Sequence, residues 1–388
     1  MRILQIGGTF VGAQKEIEYG IHRFLKNKGD ESYILYAIGE SDDPHILKYE
    51  TRFDNIVRRG LTKVFGKNSR FAFLGTLRIL HFKKKINPDL INIHILHHGY
   101  VDYSLLLRFI SRKKIPVVYT MHDFWAYTGG CYHYTNLKCT GYQSGCISCK
   151  RSKAELDCKP SRVRSNFIKK KRLFEKINKL AFVSVSSWVH DEIMQSPISK
   201  YPQYTVWNAI KIPDAHIIPK TYEKKSQFKI IGVATNWDNR KGILDFIELA
   251  RLLGNDFEIL LVGNATPSIK AASPDNIKYL GMISDKNELY RYYADCDLHV
   301  SMSKEETFGL TFIEAACVGT RSMGFNSSAI PYVLEKIDGI IIDSNQIKDM
   351  VDKIKYLSDR RELCKLDNNK IEEIRKYFSV ERMVLMVK

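Results

Sequence analysis

Residues 2–39 read RILQIGGTFVGAQKEIEYGIHRFLKNKGDESYILYAIG. RILQI (2–6) is a short apolar run ending at Gly7 and Gly8. QKEIEYGIHRFLKNKG (14–29) places apolar residues at helical spacing and stops at Gly29. ESYILYAIG (31–39) is a second apolar run. Strand, glycine turn, helix and strand make a β-α-β unit, the start of a parallel sheet with helices on its faces. The same signal continues in PDLINIHILHH (88–98), PVVYTMHD (116–123) and LAFVSVSS (180–187), the first two carrying histidines at their ends. A second alternation opens at FKIIGVA (228–234). It runs through the helix GILDFIELARLLG (242–254) and the strands FEILLVGN (257–264), IKYLGMI (277–283) and DLHVSMS (297–303). FGLTFIEAACVG (308–319) reads as a helix, RSMGF and GIIID as short strands, and the segments after 346 as helices.

The chain has 388 residues, too many for one ordinary core, and two domains of roughly 150–200 residues are the expectation. The fold class is α/β: two doubly wound Rossmann-like domains facing a central cleft. We place the first at 1–205, with a cysteine-rich insertion at about 129–150. The second spans 206–370 after a join near WNAIKIP (207–213), and 371–388 forms a C-terminal helix crossing back to the first domain. In such sheets ligands bind beyond the carboxyl ends of the strands, so motifs just after strands matter most.

Charge separates the halves. Residues 1–200 hold 34 Lys and Arg against 17 Asp and Glu, whereas residues 201–388 hold 26 of each. The net charge of +17 therefore sits on the N-terminal half. RRGLTKVFGKNSRFAFLGTLRILHFKKK (58–85) and SRVRSNFIKKKRLFEK (161–176) interleave basic with apolar residues. That composition suits an anionic membrane surface, and equally suits two basic amphipathic core helices. No run of about 18 apolar residues predicts a membrane-spanning helix. MRILQIGG lacks the longer apolar region and cleavage site of a signal peptide, so we expect a cytoplasmic protein, peripheral on the inner face of the cell membrane.

EETFGLTFIEA (305–315) sets Glu306 and Glu314 eight positions apart around Phe308-Gly309-Leu310, after one strand and at the start of a helix. Backbone N–H groups at a helix start favour an anion such as a diphosphate, and a glycine lets the backbone come close. TNWDNRKGIL (235–244) brings Arg240 and Lys241 into a loop before a helix, a pairing that suits a phosphate. His122 follows a buried strand, where it can bind a hydroxyl or meet developing charge. His97 and His98 fall near another strand end, and strand geometry puts them on opposite faces. Asp295 and Asp297 in DCD lie in a helix-to-strand passage and read as structural.

Together these residues resemble the retaining GT-B glycosyltransferases of family 4, over nearly the whole chain. The family's E-x7-E signature is similar to Glu306–Glu314, its phosphate-binding basic pair to Arg240 and Lys241, and its strand-end histidine to His122. VWNAI resembles the family's linker, and FSVERM its last helix. The resemblance implies that Glu314 holds the nucleotide ribose and Glu306 lies near the donor sugar. It also implies that the backbone of Phe308, Gly309 and Leu310 contacts sugar and diphosphate, and that the segment at Met282 meets the base. Gly8, Asn236 and Gly263 complete the donor-binding set. His122, Arg240, Lys241 and Glu306 form the catalytic set. The sequence departs from the family at Ala234-Thr235, where many relatives have Gly-Arg, and at Tyr332, where an acid is frequent.

The implied function is transfer of a hexosyl unit, with retention, from a UDP- or GDP-sugar to a lipid-linked or soluble glycan acceptor in bacterial surface-polysaccharide synthesis. The leaving diphosphate meets Arg240 and Lys241, with no catalytic metal required. A nucleotide-sugar epimerase on the same fold is one alternative. A basic nucleic-acid-binding protein is another, but the base-stacking modules it needs are not found, and no nucleic-acid partner is expected. Cys131, Cys139, Cys146 and Cys149 give C-x7-C-x6-C-x2-C, similar to an insertion in a polysaccharide-building branch of the family. Four thiols in that span fit a structural zinc or, equally, free or redox-labile thiols.

Overall fold

The computed structural model describes residues 1–65, 72–147, 149, 156, 158–213, 227–344 and 346–385. The chain divides into two compact units: Met1–Ala209 with Met383–Lys388, and Ile210–Arg382.

The first unit contains β1 (Arg2–Ile6), β2 (Thr9–Phe10), α1 (Gly12–Asn27), β3 (Glu31–Tyr36), β4 (Ile38–Gly39), β5 (Ile46–Lys48), α2 (Arg52–Phe65), α3 (Phe73–Ile86) and β6 (Leu90–Ile93). It continues with α4 (Tyr103–Lys113), β7 (Val117–Met121), α5 (Val163–Phe174), β8 (Leu180–Ser184), α6 (Ser187–Met194) and β9 (Gln203–Thr205). Its main sheet is parallel, in the order β5-β3-β1-β6-β7-β8-β9. The chain winds outward from β1 in one direction, then returns beside it with β6 and winds the other way. β1 and β6 flank that reversal, the place where such sheets open a binding crevice.

The second unit contains β10 (Phe228–Asn236), α7 (Ile243–Leu253), β11 (Phe257–Asn264), α8 (Pro267–Ala272), β12 (Ile277–Gly281), α9 (Lys286–Asp295), β13 (Leu298–Ser301) and α10 (Leu310–Ala316). It ends with β14 (Ser322–Phe325), α11 (Ile330–Lys336), β15 (Ile340–Ile342), α12 (Ile347–Ser358) and α13 (Asn368–Tyr377); α14 spans Val380–Leu385. The sheet order β12-β11-β10-β13-β14-β15 is again parallel and reverses between β10 and β13. Strands buried on both faces explain the unbroken apolar runs. Ile230 packs with Phe246, Leu249, Met350 and Ile354 on one side of the sheet, while its neighbour Ile231 packs with Tyr290, Tyr293 and Ala315 on the other.

Three expectations are corrected. The sequence suggests one helical stretch from 361 to 378. It is instead a short 3-10 turn, Arg361–Cys364, followed by α13. Lys365 bridges to Thr320, and the Asp367 carboxylate caps α13 by accepting from the Lys370 N–H at 2.9 Å. The return to the first unit begins at Met383 rather than 371. α13 stays in the second unit because Ile371 and Ile374 are buried and Arg375 donates to the Cys317 carbonyl at 2.9 Å. The boundary falls at Ala209 instead of 205, since Val206 and Asn208 still hydrogen-bond to Ser184 and Val185.

Candidate functional site

In the second unit the reversal between β10 and β13 brings two separate loops together. The Lys304 N–H donates to the Arg240 carbonyl at 2.9 Å, and the Lys304 ammonium to Asn239 at 3.3 Å. The loop after β13 is tied on its other side too: the Glu306 N–H donates to Ser328 Oγ at 2.8 Å, and the Ala329 N–H to the Glu306 carbonyl at 3.1 Å. Within this frame the Lys241 ammonium forms an ion pair with Glu306. Both side chains keep partial access to solvent, 21% and 18%. Burial acts to raise the Glu306 pKa, but the Lys241 charge and hydrogen bond, Ser303 and Arg240 override it and hold the carboxyl below its ordinary value. The site therefore offers an ionised carboxylate beside two cations.

Glu314 lies in the first turns of α10 and is buried. It forms an ion pair with Lys286 at the start of α9 and accepts from the Tyr293 hydroxyl at 3.3 Å. Lys286 and Tyr293 were not found by sequence reasoning. An isolated Lys and a core Tyr carry no local pattern; the packing of α9 on α10 selects them.

The remaining expected donor residues of this unit fall at strand ends or at the start of α10. Asn236 ends β10 and accepts from Asn264 Nδ2 at 3.3 Å. Met282 follows β12 and is exposed. Gly309 caps α10 with φ +89°, a left-handed conformation that admits the turn into Leu310, and Phe308 before it is buried against Phe378. Gly263 has φ +120°, and a Cβ there would stand 1.7 Å from the Ala234 carbonyl oxygen, so the close approach of β10 to β11 demands glycine. The DCD segment is structural, as read: Asp297 accepts from the Lys229 N–H at 2.7 Å and lies 3.7 Å from Arg361.

In the first unit, Gly8 packs under the Tyr100 ring and His122 lies just past β7. His122 Nε2 is 3.0 Å from His94 Nδ1, and the two rings stack at 5.3 Å. Burial lowers the His122 pKa to about 4 and that of His94 well below its ordinary value, so both rings are neutral at neutral pH. His97 and His98 do not take opposite faces of a strand. β6 stops at Ile93, His98 and Gly99 adopt positive φ, and the two rings lie 4.2 Å apart. His97 Nε2 meets Asp123 at 3.2 Å; burial raises the Asp123 pKa and lowers that of His97 to about 3.

Among the described residues no group of three or more His, Cys, Asp or Glu is arranged to hold a metal ion. Cys131 and Cys146 are buried, Cys139 is exposed and Cys149 is half-buried. Burial pushes the Cys146 thiol up to about 11. An aromatic cluster packs within the insertion. Glu192 accepts from the Tyr134 hydroxyl at 2.6 Å, so Tyr134 in turn accepts from Tyr127 at 2.7 Å, and Tyr142 packs on both rings. The basic stretches are also partly spent inside the fold. Arg58 pairs with buried Glu50 at 2.6 Å, Arg78 pairs with Asp54, and Lys170 is buried with its ammonium 3.9 Å from the centroid of the Trp125 ring. Residues 66–71 of the first stretch lie outside the described residues.

Residues 214–377, within the second unit, match the family described as Glycosyl transferases group 1. WcaC of Escherichia coli (strain K12), named as a colanic acid biosynthesis glycosyl transferase, is 23% identical over 372 residues, covering 90% of this chain and 89% of WcaC. An uncharacterized 41.2 kDa protein in the cps region of Klebsiella pneumoniae is 22% identical over 368 residues, covering 89% and 93%. Among solved structures, sucrose-phosphate synthase from Thermosynechococcus elongatus superposes with a TM-score of 0.71 at 15% identity, over 100% and 97% of the two chains. Anabaena HepE in complex with UDP and glucose gives 0.65 at 14%, over 100% and 98%. The fold is GT-B, built of two Rossmann-like domains.

Proposed function

We propose that the chain is a retaining glycosyltransferase of family 4 that moves a hexosyl unit from a nucleotide-sugar to a lipid-linked glycan acceptor in polysaccharide synthesis. The observation that carries this reading is the Lys241–Glu306 pair at the strand-order reversal of the group 1 domain, with Arg240 in the same loop. A nucleoside diphosphate leaving a sugar develops negative charge, and Arg240 and Lys241 are held where they can meet it. Glu306, ionised, suits a sugar hydroxyl or an anomeric carbon gaining positive character. Glu314 is the ribose-binding carboxylate, exchanging its contact with Lys286 for ribose hydroxyls. His122 is the contribution of the first unit. The similarity to WcaC supports a role in polysaccharide synthesis, and the UDP bound by HepE supports a UDP-sugar as donor. The test is transfer and hydrolysis measured across UDP- and GDP-sugars, with and without a lipid-linked glycan. Transfer only when the glycan is present, with the anomeric configuration kept, is the expected result. Interconversion of the nucleotide-sugar alone would establish the epimerase alternative.

The first unit further suits an anionic membrane. Arg108, Lys169, Arg172 and Lys176 line a groove between α4 and α5, and Phe73, exposed with Leu74 and Leu77 on α3, borders Arg108 and Lys169. Cations beside exposed apolar side chains match lipid phosphates above an acyl layer. Among the described residues no helix is long and apolar enough to cross a membrane, which makes attachment peripheral in this reading. Co-sedimentation with anionic liposomes at low salt, lost at high salt and absent with neutral lipid, is expected. Equal binding to both lipids refutes it.

A further inference from the structure

Two neutral imidazoles in contact share one bridging proton, and the ring that supplies it decides what the outer nitrogen of the other can offer. For His94 and His122 the choice is made on the far side of His94. Gln5 Nε2 donates at 3.2 Å to the backbone carbonyl of Glu18, a group that can only accept. Gln5 must therefore turn Oε1 toward His94 Nε2, 3.2 Å away. An acceptor at that position calls for a proton on His94 Nε2.

Asn92 Nδ2, 3.1 Å from the same nitrogen, would oppose this. Its amide, however, is not pinned. Its Oδ1 meets the Thr120 hydroxyl at 2.9 Å, and a hydroxyl donates or accepts equally well. A half-turn of the Asn92 amide presents Oδ1 to His94 and keeps the contact with Thr120. With Nε2 protonated, neutral His94 has a lone pair at Nδ1, so His122 Nε2 donates to it across 3.0 Å. His122 Nδ1 is then a lone pair, left available by the bond that Nε2 makes to His94.

We propose that Gln5 and His94 are positioning residues that lock His122 with its proton on Nε2, so that Nδ1 accepts a hydrogen bond from a substrate hydroxyl. The task given to Nδ1 rests on the glycosyl-transfer reading; the lock stands on the hydrogen-bond geometry alone. Gln5 is fully buried on β1, and β1 pairs with β6 just before His94. The lock is thus built across the strand-order reversal of the first unit.

The experiment is nitrogen-15 NMR of histidine-labelled full-length chain at neutral pH. The expected result is a protonated Nε2 and an unprotonated Nδ1 in His122. Gln5→Leu removes the fixed acceptor and frees Asn92 to donate to His94 Nε2, so the whole chain of bonds reverses and His122 Nδ1 becomes protonated. In that variant kcat falls by roughly ten- to a hundredfold while donor KM holds. His94→Asn keeps an oxygen that can accept from His122 Nε2 and recovers part of the rate that His94→Leu loses. A wild-type His122 protonated on Nδ1 overturns the proposal, as does a Gln5→Leu variant with the wild-type tautomer. Should His94→Leu not fold, the wild-type and Gln5→Leu spectra decide. The expected tautomers with no sugar transfer from any nucleotide-sugar would uphold the lock and remove the transfer reading instead.

Discussion

Replacing Lys241 with alanine lowers sugar-transfer turnover by roughly a hundred- to a thousandfold, the usual cost of removing one fixed charge aimed at a developing anion. Nucleoside-diphosphate affinity falls by about 1.5–3 kcal/mol, the range for a hydrogen bond to a charged group. The two effects come from one ammonium whose position is over-determined: the Lys241 N–H donates to Asp238 at 2.9 Å, and its side chain is held by Glu306. Glu306→Gln separates binding from chemistry. It removes the carboxylate that competes with diphosphate for Lys241, so affinity holds or rises while turnover falls. Calorimetric titration with UDP and GDP, followed by single-turnover kinetics, reads both quantities. Unchanged affinity and turnover in Lys241→Ala would remove the assignment.

Gly263→Ala unfolds the second unit more readily by over ~4 kcal/mol, the exceptional class of single substitutions. At φ +120° an L side chain is strained, and its Cβ would lie 1.7 Å from the Ala234 carbonyl oxygen, on backbone that cannot step aside without parting β10 from β11. For a unit of this size each kcal/mol moves the melting temperature by roughly 2–4 °C, so a fall of at least ~8 °C is expected. Calorimetry of the variant with and without nucleotide is the check. A normal melt with weakened nucleotide binding would instead make Gly263 a donor contact.

The fold was legible because parallel strands covered on both faces leave apolar runs, as in Ile230–Ala234 and Leu180–Val183. The loops that carry Lys241 and Glu306 were legible because glycine turns and charges stand directly after those runs. The charge partners were harder to read. That Lys241 meets Glu306 follows from β13 lying beside β10, and that Glu314 meets Lys286 follows from α9 packing on α10. Neither is a local pattern. Composition left two readings open where basic and apolar residues alternate: at 161–176 Lys170 takes the inward one, its ammonium over Trp125 and donating to the Trp125 carbonyl. The histidine pair at 97–98 was misassigned because strand periodicity was carried past the point where the strand stops.

The strand-order reversal also sets a timetable. Lys241 and Glu306 are 65 residues apart in sequence, and β11, α8, β12 and α9 lie between them. Closing β13 on β10 across that span costs loop entropy and is slow. The Lys241–Glu306 pair is therefore expected to form late in the assembly of this unit. A chain in which β13 has not yet joined β10 lacks the Lys241–Glu306 pair, on which donor capture rests in the glycosyl-transfer reading.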